Sequence, residues 1–139
     1  MEYVPWPTLK QLLDHGTLSP QRVAQLGIAM LHPIEVMHAH NLVHRDLKPA
    51  NIFVREEANN DYLVKLADLG LWILDEAHVK DGATDSLTTR NEFAGTLDYA
   101  SPEQMMGSGI GARSDLHAVG SVLWCAYTGQ VPFPACGEG

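Results

Sequence analysis

The sequence predicts a mainly α fold with short β hairpins, which places it in the α+β class. Two long segments, 20–40 and 114–128, carry apolar residues at helical spacing. Two short apolar runs, 52–54 and 62–66, flank an acidic, Asn-rich turn, as in a hairpin. Hydrophobic residues make up 45% and charged residues 19% of the 139 positions, which suits one globular unit with a modest core.

Two of the helices carry recognisable start and stop signals. The segment 8–15 places leucines on one face, with Thr8 as the N-cap and Gly16 as the stop. The last helix is expected to begin at Ser114 and to close at Gly129. Because this last helix is apolar around nearly its whole circumference, we expect it to be central and buried.

The long central helix carries one conflicting signal. Ser19 as N-cap and Pro20 at the first helical position predict its start, and it is expected to run to about His40. Pro33 lies inside it, where proline removes a hydrogen bond and costs about 3 kcal/mol. We therefore expect a kink or a local break near residues 29–33.

Charge and cysteine content exclude several classes of protein. The net charge of −8 and the lack of a basic run argue against nucleic acid or an anionic membrane as the main partner. No apolar stretch approaches the ~20 residues that span a bilayer, and no signal peptide is evident. Two cysteines, Cys125 and Cys136, are too few for a disulfide framework. We expect a cytoplasmic protein.

Two motifs carry the functional signal. Residues 44–51 read H-R-D-L-K-P-A-N and match the catalytic-loop signature H-R-D-L-x-x-x-N of protein kinases at every fixed position. Residues 68–70 read Asp-Leu-Gly and resemble the D-F-G element, with Leu in place of Phe. The chain thus resembles serine/threonine protein kinases, especially the eukaryotic-like kinases of bacteria. Residues 1–139 would then be a partial kinase domain, from the hinge to the central helix of the C-terminal lobe.

This resemblance implies transfer of the γ-phosphoryl group of ATP to Ser or Thr hydroxyls of protein substrates, with Mg²⁺. Asp46 would orient the hydroxyl and accept its proton. Asn51 and Asp68 would hold Mg²⁺, which prefers hard oxygen ligands. Lys48 would neutralise the phosphoryl group, and Thr96 would bridge Asp46 and Lys48. The resemblance therefore assigns nucleotide binding to Lys48, Asn51 and Asp68 as well.

The same resemblance assigns the adenine side of the site to the first residues of the chain. Backbone groups around Glu2 and Val4 would bind the adenine edge, and Phe53 would form the apolar floor. Trp6 would partly wall the mouth of the pocket. The alternatives are a frayed terminus for the first residues and ordinary core packing for Phe53.

A regulatory segment is also implied. Residues 71–94 form a mostly polar stretch that we interpret as a long loop in the position of the activation segment. Arg45 would receive a phosphorylated Thr88 or Thr89 and order this segment. The alternative is that both threonines are solvated loop hydroxyls.

Four further residues are assigned structural roles by the resemblance. His44 would pack and support the loop backbone, and Gly70 would complete the Asp-Leu-Gly element. Glu103 lies in Ser-Pro-Glu, where the family has A-P-E; its basic partner in the family belongs to the last helices, which are expected to be missing here. Asp115 would be buried and would accept N–H groups from the catalytic loop, because an unpaired buried charge is costly.

A cluster of histidines suggests a different function, a metal site. His38, His40 and His44 lie close together in the sequence. No cysteine or second paired motif supports metal binding by this trio. Since His38 and His40 fall near a helix end, we expect their imidazoles to meet backbone carbonyls there.

Several kinase elements are missing from the sequence. It contains no G-x-G-x-x-G loop, no Val-Ala-Ile-Lys strand and no terminal helices. We expect a fragment, or a start at an internal Met, of a parent that carries further domains and a possible membrane anchor. The chain alone is expected to be inactive, and the alternative function is a truncated protein-binding module. Apolar surface should lie uncovered on 116–133 and beside Glu103.

Overall fold

Two long helices dominate the part of the chain that the computed structural model describes, which is residues 3–67, the backbone of 72–73, and residues 97–107 and 109–134. The elements are α1 (Leu9–Leu13), α2 (Pro20–Ala39), β1 (Leu42–Val43), β2 (Ile52–Glu56), β3 (Tyr62–Leu66), β4 (Trp72–Ile73), α3 (Pro102–Met106) and α4 (Ala112–Thr128). A 3-10 turn, Pro49–Asn51, precedes β2. The predicted class, mainly α with short hairpins, is confirmed.

The core lies where α2 packs against α4 and against the β2–β3 hairpin. Its central side chains are buried: Leu26, Met30, Ile34, Ile52, Val119, Val122 and Ala126. A Cβ atom at Gly27 would lie 3.0 Å from Leu123 Cδ1, so the missing side chain lets the two helices approach closely. Full burial of each large aliphatic side chain contributes about 1.5–3 kcal/mol, so this contact stabilises the scaffold.

The predicted starts of α1 and α2 are confirmed. Thr8 Oγ1 accepts the Gln11 N–H at 3.2 Å, and Gln11 Oε1 accepts the Thr8 N–H at 2.9 Å, which forms a capping box. Ser19 Oγ accepts the Arg22 N–H at 3.4 Å, with Pro20 at the first helical position. The first helix is shorter than expected and ends at Leu13.

Of the kink or local break expected near residues 29–33, the break is wrong, because α2 runs unbroken from Pro20 to Ala39, and the kink stays a prediction. Pro33 has no N–H for the Ala29 carbonyl, so one helical hydrogen bond is lost. Met30 and Ile34 lie on either side of it and are buried. Burial of these two side chains offsets the loss of about 3 kcal/mol.

The predicted cap at Ser114 is also wrong. The helix α4 begins at Ala112, with Gly111 as its N-cap residue. Ser114 lies in the first turn, where its Oγ accepts the Gly111 N–H at 3.3 Å. The predicted stop at Gly129 is confirmed, because this residue adopts the left-handed conformation with φ 76°.

The helix α4 is central, as expected, because it packs against α2, but it is buried on one side only. Leu116, Trp124 and Tyr127 expose 48%, 53% and 54% of their surface. Phe133 and the α3 residue Met106 are exposed as well. The uncovered apolar surface expected on 116–133 and beside Glu103 is therefore present. Among the described ranges, no helix has the length and apolar character that crossing a membrane requires.

The strands form two small antiparallel sheets. The hairpin pairs β2 with β3, from Ile52 opposite Leu66 to Glu56 opposite Tyr62. The second sheet pairs β1 with β4, where Val43 lies opposite Trp72. The interpretation of 71–94 as a loop is thus wrong at 72–73, where the chain forms β4. This strand pairs with β1, and the pairing satisfies backbone hydrogen-bonding groups of both strands.

Candidate functional site

A buried carboxylate on α4 anchors the loop that carries the kinase-like motif. Asp115 is only 1% exposed. Its Oδ2 accepts the His44 N–H at 2.9 Å, and its Oδ1 accepts the Arg45 N–H at 3.0 Å. These are the hydrogen bonds expected of Asp115, and they fix the loop immediately before Asp46.

Asp115 has a third partner that the sequence analysis did not foresee. His38 Nε2 lies 2.8 Å from Asp115 Oδ2. The expectation that His38 would meet a helix-end carbonyl is therefore wrong, whereas His40 does so, with Nδ1 2.8 Å from the Val36 carbonyl. A buried carboxylate needs such donors, which explains why His38 turns towards α4.

Arg45 has a strained backbone that is held on both sides. Its φ is 71°, in the left-handed region, which costs a non-glycine residue on the order of 1–3 kcal/mol. Its N–H donates to Asp115, and its carbonyl accepts Gln104 Nε2 at 2.8 Å. Burial lowers the pKa of the Arg45 guanidinium from its ordinary value. The strain persists because both backbone groups are fixed by distant residues.

His44 connects the loop to the segment that leads into Asp68. It is fully buried, and its Nδ1 accepts the Asp46 N–H at 3.2 Å. Its Nε2 lies 3.0 Å from the Ala67 carbonyl and so donates the ring proton there. This pattern requires the neutral tautomer with the proton on Nε2.

The three polar residues of the loop converge. Asn51 Nδ2 donates to the Asp46 carbonyl at 2.9 Å and to Asp46 Oδ2 at 3.1 Å. Lys48 Nζ lies 3.9 Å from the same Oδ2. The second oxygen, Asp46 Oδ1, is buried and has no hydrogen-bond partner within the described residues. A buried acceptor without a donor is costly, so this oxygen is the unsatisfied atom of the loop.

A backbone hydrogen bond joins Ala67 to the loop. The Ala67 N–H donates to the Asn51 carbonyl at 2.8 Å, and the next residue is Asp68. Because the Asn51 amide nitrogen is used by Asp46, the amide oxygen is the atom left for a cation. An amide oxygen is a hard ligand of the kind that Mg²⁺ accepts.

The expected adenine side is attached to the hairpin. The Pro7 carbonyl accepts the Val54 N–H at 3.0 Å, and Thr8 forms a bridge with Phe53. Phe53 and Val4 are both half-buried. The segment that precedes α1 therefore lies beside the strand that carries the proposed floor.

Trp6 packs against the cations of the hairpin. Arg55 Cζ lies 4.8 Å from its ring centroid, and Lys65 Nζ lies 5.0 Å from it. Each such contact contributes about 0.5–1 kcal/mol at an exposed site. The tryptophan thus ties the first residues to both strands of the hairpin, which the sequence analysis missed.

A cleft of about 420 Å³ adjoins the loop between the ends of α1 and α4. Lys48 lines it together with Asp14, Asp98 and Tyr99. The Tyr99 hydroxyl donates to Cys125 Sγ at 3.7 Å, and burial raises the pKa of Tyr99 above its ordinary value. The cleft gives a second molecule access to Lys48.

Glu103 is linked to α4 rather than to a basic side chain. Its Oε1 accepts the Ser114 hydroxyl at 2.8 Å. Its own backbone N–H and then the Ser114 hydroxyl lower the pKa of Glu103. Ser101, which replaces the family alanine, caps α3 by accepting the Gln104 N–H at 3.3 Å.

The remaining sequence-predicted site residues stay predictions. They lie outside the described residues: Glu2, Asp68, Gly70, Thr88, Thr89 and Thr96.

Comparison with known proteins identifies the family. Residues 1–138 match the protein kinase domain family, and the chain belongs to it. The chain is 34% identical to the probable serine/threonine-protein kinase PknB of Bifidobacterium longum, over 96% of this chain and 18% of the relative. It is 38% identical to the serine/threonine-protein kinase pkn3 of Myxococcus xanthus, over 96% and 24%. It is 35% identical to PknB of Mycolicibacterium smegmatis, over 96% and 20%. The chain thus spans about a fifth of the length of these relatives.

Proposed function

We propose that the protein is a serine/threonine protein kinase that transfers the γ-phosphoryl group of ATP to protein hydroxyls. The convergence of Asn51 Nδ2 and Lys48 Nζ on one oxygen of the Asp46 carboxylate, Oδ2, carries this proposal. The printed names of the relatives support the same activity. Phosphoryl transfer depends on positioning and on charge neutralisation, and these residues supply both.

Each loop residue has a distinct chemical task in this proposal. Asp46 accepts a hydrogen bond from the substrate hydroxyl and takes its proton as the hydroxyl oxygen bonds to the γ-phosphorus of ATP, while the bond from that phosphorus to the bridging oxygen breaks and ADP leaves. Asn51 holds the Asp46 carboxylate through Oδ2, so that Oδ1 keeps its direction. Lys48 lies beside the carboxylate and offsets the negative charge of the transferred group.

The nucleotide and the metal are expected on the side of Asn51. Mg²⁺ neutralises the charge of the phosphates when it is bound, and Asn51 with Asp68 would hold it. Phe53, with the backbone around Glu2 and Val4, would contact the adenine. Use of ATP, together with the low cysteine content, supports a cytoplasmic location.

The protein substrate is proposed to approach through the cleft beside Lys48. This cleft brings Asp98 and Tyr99 close to the catalytic loop, and Thr96 directly precedes that segment in the sequence. Arg45, which belongs to the same loop, is proposed to bind a phosphorylated Thr88 or Thr89. Phosphorylation there would order the segment and raise activity.

The decisive experiment measures phosphate transfer from Mg-ATP by the full-length protein to a generic protein substrate. Asp46→Asn is expected to lower the rate about 10²–10⁴-fold, because the proton acceptor is lost. Asp61→Asn, in the exposed turn of the hairpin, serves as the matched control and should leave the rate unchanged. Undiminished activity of the Asp46 variant would contradict the proposal.

A further inference from the structure

We infer that Gln104 is a positioning residue for phosphoryl transfer and that it acts by holding the peptide group before Asp46; this inference rests on the proposed function. Gln104 Nε2 donates to the Arg45 carbonyl at 2.8 Å. The N–H of Asp46, which donates to His44 Nδ1 at 3.2 Å, belongs to the same planar peptide group. A side chain of α3 therefore helps to fix the peptide plane that ends at the Cα atom of Asp46.

Two hydrogen bonds at the other side of the amide set its direction. Gln104 Oε1 accepts the Ser101 N–H at 3.0 Å and the Ser101 hydroxyl at 3.2 Å. The oxygen is the only acceptor of the amide and the nitrogen its only donor, so the nitrogen is left for the Arg45 carbonyl. The capping box of α3 thus aims the donor at the catalytic loop.

The strained backbone of Arg45 gives this donor its importance. A φ of 71° at a non-glycine residue relaxes unless its surroundings hold it. Two peptide groups meet at the Cα atom of Arg45, and different helices hold them. Asp115 of α4 accepts the N–H of the first, and Gln104 of α3 donates to the carbonyl of the second. Without the second bond, that peptide group can rotate, and the carboxylate of Asp46 would shift with it.

The packing around this bond leaves room for such a movement. A cavity of about 10 Å³ lies between the loop, α3 and α4, and its lining includes Arg45, Asp46, Tyr99, Gln104 and Ala118. This volume holds at most about one water molecule. Close packing alone therefore does not fix the Arg45 carbonyl, and the amide of Gln104 supplies the constraint.

A second glutamine serves the same kind of cap at an exposed position. Gln11 is the third residue of α1, and its Oε1 accepts the Thr8 N–H at 2.9 Å. Gln104 is likewise the third residue of its helix but is half-buried. The same substitution at Gln11 therefore controls for any effect of capping alone.

The test separates the cap from the donor in the full-length protein. Gln104→Glu keeps an acceptor for Ser101, because glutamate also forms the capping box, but it places an oxygen against the Arg45 carbonyl. We expect this variant to lower kcat about tenfold, with the KM for ATP changed less than about twofold. Gln11→Glu should match the wild type. Wild-type kcat in Gln104→Glu together with a reduced kcat in Gln104→Ala would assign Gln104 to the cap alone and overturn the inference.

A second measurement does not depend on activity. Amide hydrogen exchange at Asp46 should be faster in Gln104→Glu than in Gln11→Glu or the wild type, because its peptide group has lost one of two partners. If Gln104→Glu does not fold, Gln104→Met, which has a similar length and no donor, replaces it in both measurements. Wild-type kcat or wild-type exchange at Asp46 in this variant would contradict the role. A wild-type protein that transfers no phosphate would refute the proposed function, while the exchange experiment would still decide whether Gln104 holds the peptide group.

Discussion

The catalytic loop and the segment that precedes α1 are both irregular, but they are held in different ways. Backbone N–H groups of the loop donate to the buried carboxylate of Asp115, and the side-chain amide of Gln104 donates to the carbonyl of Arg45. The earlier segment is held by one backbone bond from Val54 and by the cations that flank the half-buried Trp6. The residues proposed to do chemistry are therefore positioned by hydrogen bonds to buried side chains. The residues proposed to bind adenine are positioned by contacts near the protein surface.

The largest expected effect breaks the anchor of the loop. Asp115→Asn replaces one acceptor oxygen with an amide that would face an N–H group. We expect a loss of about 3–5 kcal/mol in the free energy of unfolding, because a buried charge network loses its acceptor. Urea unfolding measures this, and exposed Asp61→Asn should stay within about 0.5 kcal/mol of the wild type. Equal stability of both variants would contradict the assignment of Asp115 as the anchor.

A smaller effect is expected when the contacts of Trp6 with the hairpin are removed. Trp6→Leu removes the contacts to Arg55 and Lys65, each worth about 0.5–1 kcal/mol. The KM for ATP should rise severalfold while kcat stays near the wild-type value. Steady-state kinetics of the full-length protein measures both constants. Tyr127→Leu, at an exposed position of α4, is the control, and a kcat effect confined to Trp6 would contradict the comparison.

The smallest effect depends on pH and concerns the link between α3 and α4. Hydrogen bonds lower the pKa of Glu103, so this carboxylate stabilises the fold above the ordinary carboxyl range. That contribution is lost as pH falls through the lowered pKa of the folded state. The urea midpoint of the wild type should exceed that of Glu103→Gln at pH 7, and the gap should close towards pH 3. A difference in urea midpoint that persists at pH 3 would exclude a stabilising role for the Glu103–Ser114 hydrogen bond. An equal difference for Glu35→Gln, at an exposed position, would exclude it as well.

The sequence predicted the parts of the molecule that local chemistry determines. The Thr8 and Ser19 caps and the Gly129 stop follow from side-chain and backbone preferences within a few residues. The loop motif predicted that Asp46 and Asn51 would act together, and their side chains are hydrogen-bonded. Short-range patterns and a rare motif therefore carried most of the fold class and the centre of the site.

Local patterns could not predict partners that lie far apart in the sequence; the bonds of Asp115 to the catalytic loop were expected only from the family resemblance. His38 and Asp115 are 77 positions apart, and no periodicity indicates that they meet. Pro33 predicted a break because local propensity says nothing about the packing that keeps α2 intact. Trp6 gave no signal for its two cations, because cation–π contacts depend on the register of a hairpin elsewhere in the chain.

The separation between Asp115 and the loop has a consequence for the order in which the protein folds. Arg45 and Asp115 are 70 positions apart, so the ribosome completes Arg45 about 4–14 s before it adds Asp115. During this interval nothing holds the left-handed turn at Arg45, because its acceptor has not been synthesised. The nascent chain can form α1, α2 and the hairpin early, since their contacts are more local. The catalytic loop is therefore expected to reach its native geometry last, only after α4 has docked.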